Sequence, residues 1–190
     1  MNKSKKLKKH VIIAGTPRAG KTTVCLELLK YGFIHYKMDS IKRGICEAFG
    51  YDQHDWNFLN TKIAKLINTI LIENGTDTVA GLEYYAIDTC HVLPRDVSIF
   101  YKDVLVIYLG YADIGVDKKM EEIRFNDKEH YWSSKVDDKD LRRMIEANIN
   151  LSREIREECR ENGIKYFDTS FNRNVVLKEV VDFILKNCTQ

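Results

Sequence analysis

Long apolar segments are missing from this 190-residue chain. No uninterrupted apolar run approaches the roughly 18 residues that a membrane-spanning helix needs. The first ten residues, MNKSKKLKKH, are basic and run into a short strand-like stretch rather than into the apolar core of a signal peptide. These absences argue against a membrane partner, and we expect a cytoplasmic protein.

Prolines are also few, and the cysteines show no pairing pattern. The five cysteines are odd in number, widely scattered and without a C-x-x-C pair, which argues against a disulfide framework and against a structural zinc site. Pro17 and Pro94 are the only prolines, and the chain has no linker, internal repeat or low-complexity segment. With 44% hydrophobic and 31% charged residues, the composition is that of one globular domain over residues 1–190.

Neither sign of charge dominates the chain, whose formal net charge is +2. Five lysines precede His10, and without this basic tail (residues 1–9) 25 basic residues face 28 acidic ones. A body with about three excess negative charges is poorly suited to binding nucleic acid through its phosphate backbone. We therefore expect no nucleic-acid partner and interpret the tail as a flexible terminus. A docking role for the tail is the alternative.

Apolar runs and helical periodicities alternate along the chain. The run at 104–109 is apolar on both faces, as in a buried parallel strand. We expect further strands at 11–14, 33–36, 78–88 and 164–168. Helices are expected at 21–31, 40–49, 55–74, 118–132, 140–162 and 175–185, with Ser40 and Asp55 as N-caps and Pro94 opening a short helix. This alternation predicts an α/β fold with a parallel sheet covered on both faces.

One motif is specific. Residues 15–22 form a complete G-x-x-x-x-G-K-[ST] pattern between a predicted strand and a predicted helix. Gly15 and Gly20 allow a tight turn in which the backbone N–H groups form an anion nest. Lys21 contacts the β- and γ-phosphates, and the Thr22 hydroxyl ligates Mg²⁺. The pattern predicts binding of a nucleoside triphosphate with Mg²⁺ through Gly15, Thr16, Pro17, Arg18, Ala19, Gly20, Lys21, Thr22 and Thr23. For Arg18, a strained loop position and a phosphate ligand are both open.

With this loop, its size and its order of elements, the chain resembles P-loop kinases of the nucleoside-monophosphate-kinase-like group. The resemblance implies a three-layer sandwich around a five-stranded parallel sheet in the order 2-3-1-4-5. It also implies ATP as the phosphate donor, an acceptor site beside the second strand and a helical lid at about 111–140. The N-K-x-D and D-x-x-G sequences of GTPases are missing.

The segment after the second strand carries the acceptor-side candidates. Asp39 is placed to accept a proton from an attacking hydroxyl, and Arg43, one helical turn on, to hold an anionic group of the acceptor. This D-x-x-x-R arrangement resembles polynucleotide-kinase-like, zeta-toxin-like and chloramphenicol-phosphotransferase-like enzymes. The alternative is that Asp39 caps the helix alongside Ser40 and that Arg43 is a surface residue.

Asp88 ends the third strand. The resemblance implies an acid there that holds Mg²⁺ or contacts the acceptor, whereas the alternative is a cap on the turn before Pro94. Glu83 is a weaker candidate because it lies inside the predicted strand. His91 is also secondary, because a lone turn histidine is more often satisfied by its neighbours than used as a base.

The predicted lid and the last loop complete the candidate site. Arg124 is the lid arginine best placed to neutralise the transferring phosphate, ahead of Arg142, Arg143 and Arg153, although charged helices usually carry such residues as solvated faces. Tyr131 and Trp132 would meet the acceptor or pack the lid. In the resembled group the loop after the fifth strand borders the nucleotide base, which points to Asn172 and Arg173. Helix capping by Asn172 or Asn174 is the alternative.

Together these residues predict an ATP-dependent phosphotransferase that acts on a small-molecule acceptor. Lys21 and Arg124 would neutralise charge, and Asp39 would align the acceptor. A hydroxyl acceptor is favoured because the Asp39 carboxylate would repel a phosphate. A nucleoside monophosphate kinase, GTP as donor, and a non-catalytic or toxin-like ATP-binding module stay open. We expect a monomer or a weak homodimer.

Overall fold

The structure is a computed structural model that describes residues 9–52, 54–77, 84–100, 104–127 and 132–189. Within these ranges one parallel sheet has the strand order β2-β3-β1-β4-β5. Its strands are β1 (His10–Gly15), β2 (Phe33–Lys37), β3 (Tyr84–Asp88), β4 (Val104–Gly110) and β5 (Lys165–Asp168). The predicted α/β fold and its strand order are confirmed. Residues 1–8 of the basic tail, Glu83 and Tyr131 lie outside the described residues.

Helices cover both faces of the sheet. They are α1 (Lys21–Leu28), α2 (Met38–Phe49), α3 (Trp56–Asp77), α4 (Val116–Asn126), α5 (Asp138–Glu161) and α6 (Arg173–Cys188). Short 3₁₀ turns occupy Leu29–Tyr31, Pro94–Ile99 and Trp132–Lys135. In the described ranges, no helix is both long enough and apolar enough to cross a membrane.

Strand register brings the functional loops to one edge. Asp88, the last residue of β3, is the register partner of Ile13 on β1 and of Lys37 on β2. The segments that follow β1, β2 and β3 therefore leave the sheet side by side at its carboxyl edge, where parallel α/β sheets bind ligands.

The core is divided by the sheet. Val11 and Ile13 of β1 pack on one side against α1, α4, α6 and the first half of α5, whereas Ile12 and Ala14 pack on the other side against α3 and the second half of α5. Alternate side chains of one strand thus bury themselves in two different layers, as expected of a parallel strand covered on both faces.

Several predicted boundaries are correct. Asp55 caps α3, because its carboxylate accepts the backbone N–H of Phe58 at 3.0 Å, and Pro94 opens its 3₁₀ turn. The helix predicted to end at 162 ends at Glu161, and Gly163 follows with a φ of +65°, a backbone conformation that glycine adopts at little cost.

The predicted start of the second helix and the predicted end of the fourth are wrong. The second helix begins at Met38 with Lys37 as its N-cap, so Ser40 lies inside the helix rather than at its start. The first lid helix ends at Asn126 rather than at 132, because Asp127 adopts an extended conformation and its carboxylate accepts hydrogen bonds from Arg18 and Ser133.

Candidate active site

The backbone of the phosphate loop turns as its glycines permit. Gly15 and Gly20 have φ angles of +118° and +107°, in the region that side chains disfavour. A methyl group on Gly15 would also collide with the carbonyl oxygen of Leu109 on β4. Arg18 has a φ of +64° without being glycine, so the loop does contain a strained arginine.

The ammonium group of Lys21 folds back over this loop. Its Nζ donates to the carbonyl oxygens of Thr16 at 2.7 Å and Gly15 at 3.0 Å, and to Sγ of Cys90 at 3.1 Å. Lys21 is only 7% exposed, and these three partners are all uncharged. A phosphate oxygen would be a stronger partner for a buried cation than any of them.

The remaining loop residues shape the turn. Thr16 is fully buried, and its hydroxyl lies 3.1 Å from Oγ of Ser152 on α5. The carbonyl oxygen of Pro17 accepts a hydrogen bond from the Tyr111 hydroxyl at 2.9 Å, and Ala19 is fully buried. The Thr16 and Ala19 side chains are thus committed to packing, and any contact from these two residues to a phosphate would come from the backbone.

Thr22 and Asp88 form a pair between α1 and the end of β3. The Thr22 hydroxyl donates to Asp88 Oδ2 at 2.5 Å, and Asp88 is 3% exposed. Burial raises the pKa of this carboxyl, but the neighbouring His35 ring, the Thr22 hydroxyl and the Lys21 charge outweigh burial and hold the pKa below its usual value. Asp88 is therefore ionised at neutral pH. A hydroxyl and a carboxylate are ligands that Mg²⁺ accepts, so the pair fits this ion.

The turn after β3 does not need Asp88 as a cap. The Thr89 hydroxyl accepts the backbone N–H of His91 at 3.0 Å and closes the turn instead. The capping alternative for Asp88 is therefore wrong, and its carboxylate faces α1.

Asp39 lies in the first turn of α2, next to this pair. The register partnership of Lys37 with Asp88 starts α2 beside the end of β3. No side-chain hydrogen bond caps α2, so the capping alternative for Asp39 is also wrong. Burial and the negative charge of Asp39 raise the pKa of the Cys90 thiol. The Asp39 carboxylate is therefore within electrostatic reach of Cys90, whose sulfur accepts a hydrogen bond from Lys21. Arg43, one turn further along α2, is exposed.

The burial and the contacts of His91 could not be predicted from the sequence, where it is an isolated histidine. The residue is fully buried, its Nδ1 lies 2.9 Å from Asn60 Oδ1, and the Trp56 ring stacks on it at 4.6 Å. Because an amide oxygen only accepts hydrogen bonds, Nδ1 carries the proton. The Nε2 atom is buried and has no hydrogen bond within the described ranges. Burial, together with the charges of Lys42 and Lys21, lowers the pKa of His91 to about 4, so the neutral ring offers a bare acceptor nitrogen.

The predicted lid is joined to the phosphate loop by contacts that sequence reasoning missed. Arg18 Nη2 donates to Asp127 Oδ1 at 2.8 Å. The ammonium group of Lys119, which is fully buried, lies 3.4 Å from the Arg18 carbonyl oxygen, 3.2 Å from Glu122 and 4.1 Å from the centre of the Tyr111 ring. Burial lowers the pKa of Lys119 more than Glu122 raises it. A lysine in a highly charged helix gives no sequence signal of such burial.

The arginines in and beyond the predicted lid are held by nearby carbonyl oxygens and acidic side chains. The guanidinium of Arg124 donates to the carbonyl oxygens of Ser133 and Val136, both at 2.7 Å, and pairs with Asp138. Other arginines bind nearby acids or carbonyls: Arg142 with Asp117, Arg143 with Asp140, and Arg153 with the Ala112 carbonyl oxygen. The structure does not bring Arg124 into contact with the phosphate loop, and its catalytic role stays a prediction.

The loop after β5 reaches the phosphate loop through Arg173. This residue opens α6, and its Nη2 would lie 3.1 Å from a methyl group on Gly20. Its Nε lies 3.4 Å from Glu122 Oε1 on α4. Asn172 is exposed, has a φ of +49° and occupies the N-cap position of α6, as the capping alternative has it, although its side chain makes no capping hydrogen bond. Thr23 is exposed on α1 and lies along the α6 side.

These contacts and the strand register place Lys21, Thr22, Asp88 and Asp39 at one edge of the sheet. No protein-family model matches the chain, and no curated protein does. A gluconokinase structure from Sinorhizobium meliloti 1021 is 10% identical, covers 96% of this chain and 95% of its own, and has a TM-score of 0.56. The chain has the P-loop kinase fold.

Two further kinase structures have the same fold at similar distance. The shikimate kinase from Bacteroides thetaiotaomicron is 14% identical over 94% of this chain and 97% of its own, with a TM-score of 0.55. The shikimate kinase from Acinetobacter baumannii, in complex with shikimate, is 13% identical over 94% of both chains, with a TM-score of 0.51. The likeness to the zeta-toxin-like and chloramphenicol-phosphotransferase-like enzymes stays a prediction.

Proposed function

We propose that this protein is a kinase that transfers the γ-phosphoryl group of ATP to a hydroxyl of a small molecule. The observation that carries the proposal is the meeting of a buried phosphate-loop lysine, a hydroxyl–carboxylate pair and the Asp39 carboxylate at one sheet edge. The likeness of the fold to a gluconokinase and to shikimate kinases supports a small-molecule acceptor.

The donor side follows from Lys21 and the Thr22–Asp88 pair. In the proposed complex, Lys21 exchanges its carbonyl and thiol partners for phosphate oxygens, which are stronger acceptors for a buried cation. Thr22 and the ionised Asp88 would hold Mg²⁺, which neutralises charge on the phosphates when bound. Arg173, beside Gly20, is our candidate contact to the nucleotide base, together with Asn172.

The acceptor side follows from Asp39 and His91. A bond forms between the acceptor oxygen and the γ-phosphorus as the bond to ADP breaks, and the hydroxyl proton passes to Asp39 and then to solvent. The neutral Nε2 of His91, which is buried in this structure, would accept a hydrogen bond from a second hydroxyl or an amide of the acceptor once the site opens around it. Arg43 would pair with an anionic group. The Asp39 carboxylate disfavours a phosphate as the attacking group, because the two negative charges repel each other.

Arg124 is the proposed lid cation. To reach the transferring phosphate, its guanidinium must exchange the carbonyl oxygens of Ser133 and Val136 for phosphate oxygens. Lid closure of this kind excludes water and supplies positive charge during phosphoryl transfer.

The test is a coupled ADP-release screen with Mg²⁺-ATP against sugars, amino-sugars, nucleosides, nucleoside monophosphates and small antibiotics. We expect turnover with a hydroxyl acceptor that is lost in Lys21→Ala and falls at least about a hundredfold in Asp39→Asn. Lys30→Ala, in the 3₁₀ turn Leu29–Tyr31, and Asp182→Asn, on α6, change exposed residues; they are matched controls and should keep full activity.

The variants separate the alternatives. Turnover that is lost in Lys21→Ala but retained in Asp39→Asn would support the kinase activity and contradict the role of Asp39 in the acceptor site. Turnover with nucleoside monophosphates alone would make the protein a nucleotide kinase. Tight ATP binding without turnover on any acceptor would contradict the proposal and favour a non-catalytic ATP-binding module.

A further inference from the structure

A second cluster of polar side chains lies behind the Thr22–Asp88 pair. Sγ of Cys25, a ring nitrogen of His35 and a carboxylate oxygen of Asp88 all lie within 4.8 Å of one another. The three residues come from α1, β2 and the end of β3. Cys25 is fully buried, Asp88 is 3% exposed, and the His35 side chain is 12% exposed. Their spacing in the sequence follows no metal-binding pattern, because the fold alone brings them together.

The His35–Asp88 contact has an unusual geometry. Nε2 of His35 lies 3.3 Å from Asp88 Oδ2, yet this buried nitrogen has no aligned hydrogen bond in the described part of the chain. A buried nitrogen whose close polar neighbour, Asp88, sits outside hydrogen-bond geometry calls for an explanation. Two ligands of one tetrahedral ion, each bonded at about 2.0–2.1 Å, lie about 3.3–3.4 Å apart. The separation of these two atoms is that of neighbouring ligands on one metal ion.

We propose that Cys25, His35 and Asp88 form a binding site for a zinc-like divalent cation. Thiolate, imidazole and carboxylate are the three ligand types that proteins use for Zn²⁺, whereas Mg²⁺ requires hard oxygen ligands in octahedral geometry. Binding displaces the thiol proton of Cys25, which is released to solvent. The Cys25 sulfur, within 4.8 Å of the other two ligand atoms, would complete the set of three.

This site shares Asp88 with the proposed Mg²⁺ site. An ion bound by Cys25 and His35 draws the Asp88 carboxylate away from the Thr22 hydroxyl, which now donates to it. Zinc-like ions would therefore inhibit phosphoryl transfer while nucleotide contacts to Lys21 remain. The binding itself does not depend on the proposed kinase activity, and only its inhibitory consequence does.

The test uses the full-length protein, freed of metal by chelator and dialysis, titrated with Co²⁺ without nucleotide. We expect one equivalent to bind with a thiolate-to-cobalt charge-transfer band and the strong visible absorption of tetrahedral Co²⁺, both removed by excess Zn²⁺. Cys25→Ala should lose the charge-transfer band, and His35→Gln should bind about tenfold more weakly or worse. Cys90→Ser is the matched control, since this thiol touches Lys21 but lies outside the cluster, and it should keep the band.

Each alternative has its own signature. No charge-transfer band in the wild-type protein, a band that persists in Cys25→Ala, or a band lost in Cys90→Ser would overturn the site. If Cys25→Ala fails to fold, as circular dichroism would show, the His35→Gln titration decides, and unchanged affinity there overturns the proposal. An inactive protein that still binds Co²⁺ in this way would retain the metal site while contradicting the kinase.

Discussion

Arg18 Nη2 donates to Asp127 Oδ1 at 2.8 Å, joining the phosphate loop to the residue that ends α4. The same carboxylate group accepts the Ser133 hydroxyl at 2.5 Å and lies 3.6 Å from the Arg124 guanidinium. One side chain thus fixes the loop, the end of the first lid helix and the turn beyond it. The conformation of the phosphate loop is therefore coupled to the position of α4, the first helix of the predicted lid.

Removing the charge of Asp127 should loosen this junction. We expect Asp127→Asn to lower the free energy of unfolding by about 1–3 kcal/mol, because Arg18 and Arg124 lose a largely buried hydrogen-bonded counter-charge. Urea unfolding at neutral pH is the measurement. Asp140→Asn, at an exposed pair with Arg143, is the control and should change stability by about 0.5 kcal/mol or less. Equal effects of the two substitutions would contradict the junction.

Arg124 should affect both the lid and catalysis if our assignment is correct. We expect Arg124→Ala to lower kcat by about a hundredfold or more, as for loss of one donor that stabilises transition-state charge, with a much smaller change in the KM for ATP. Arg142→Ala removes a lid arginine that contacts Asp117 on the surface and should leave kcat unchanged. Lower stability of Arg124→Ala with normal kcat would restrict Arg124 to holding Ser133 and Val136.

The features predicted correctly from the sequence have local signals. The strand order follows from the fold family that the glycine-rich loop indicates, and Asp55 and Pro94 occupy positions where their own backbone chemistry starts a helix or turn. Gly15 and Gly20 likewise adopt the positive φ angles that their residue type permits. For the two helix starts and the two glycines, the signal is the residue's own backbone chemistry.

The features that escaped prediction depend on distant partners. Arg18 and Asp127 lie 109 positions apart, and their contact, rather than a glycine or proline, ends α4. Lys119 is buried because Tyr111 and the Arg18 carbonyl surround it, although its helix has a charged sequence. His91 is held by the Asn60 side chain and the Trp56 ring, both on α3. No spacing along the chain encodes such pairs.

Two glycines should respond in opposite ways to the same substitution. We expect Gly15→Ala to destabilise the protein by more than about 4 kcal/mol or to prevent folding, because φ is +118° and the new methyl group meets the Leu109 carbonyl. Gly44→Ala, inside α2 with open space around it, should stabilise the protein by about 0.5–1 kcal/mol. Thermal unfolding of both variants is the measurement. A tolerated Gly15→Ala would mean that β1 and β4 separate more easily than their register implies.

The low pKa of His91 predicts how stability changes with pH. In the unfolded chain this histidine takes up a proton near pH 6.5, whereas in the folded protein it does so only near pH 4. Between these values the unfolded state binds more protons, so stability is lost as pH falls through this window, by at most about 1.4 kcal/mol per pH unit from this residue. We expect His91→Gln to lose less stability than the wild type between pH 7 and pH 5, measured by urea unfolding. His54→Gln, at an exposed histidine, should follow the wild type. Parallel curves for His91→Gln and the wild type would show that the His91 ring gains a proton as readily in the folded protein as in the unfolded chain, and would remove the neutral Nε2 acceptor from the proposed acceptor site.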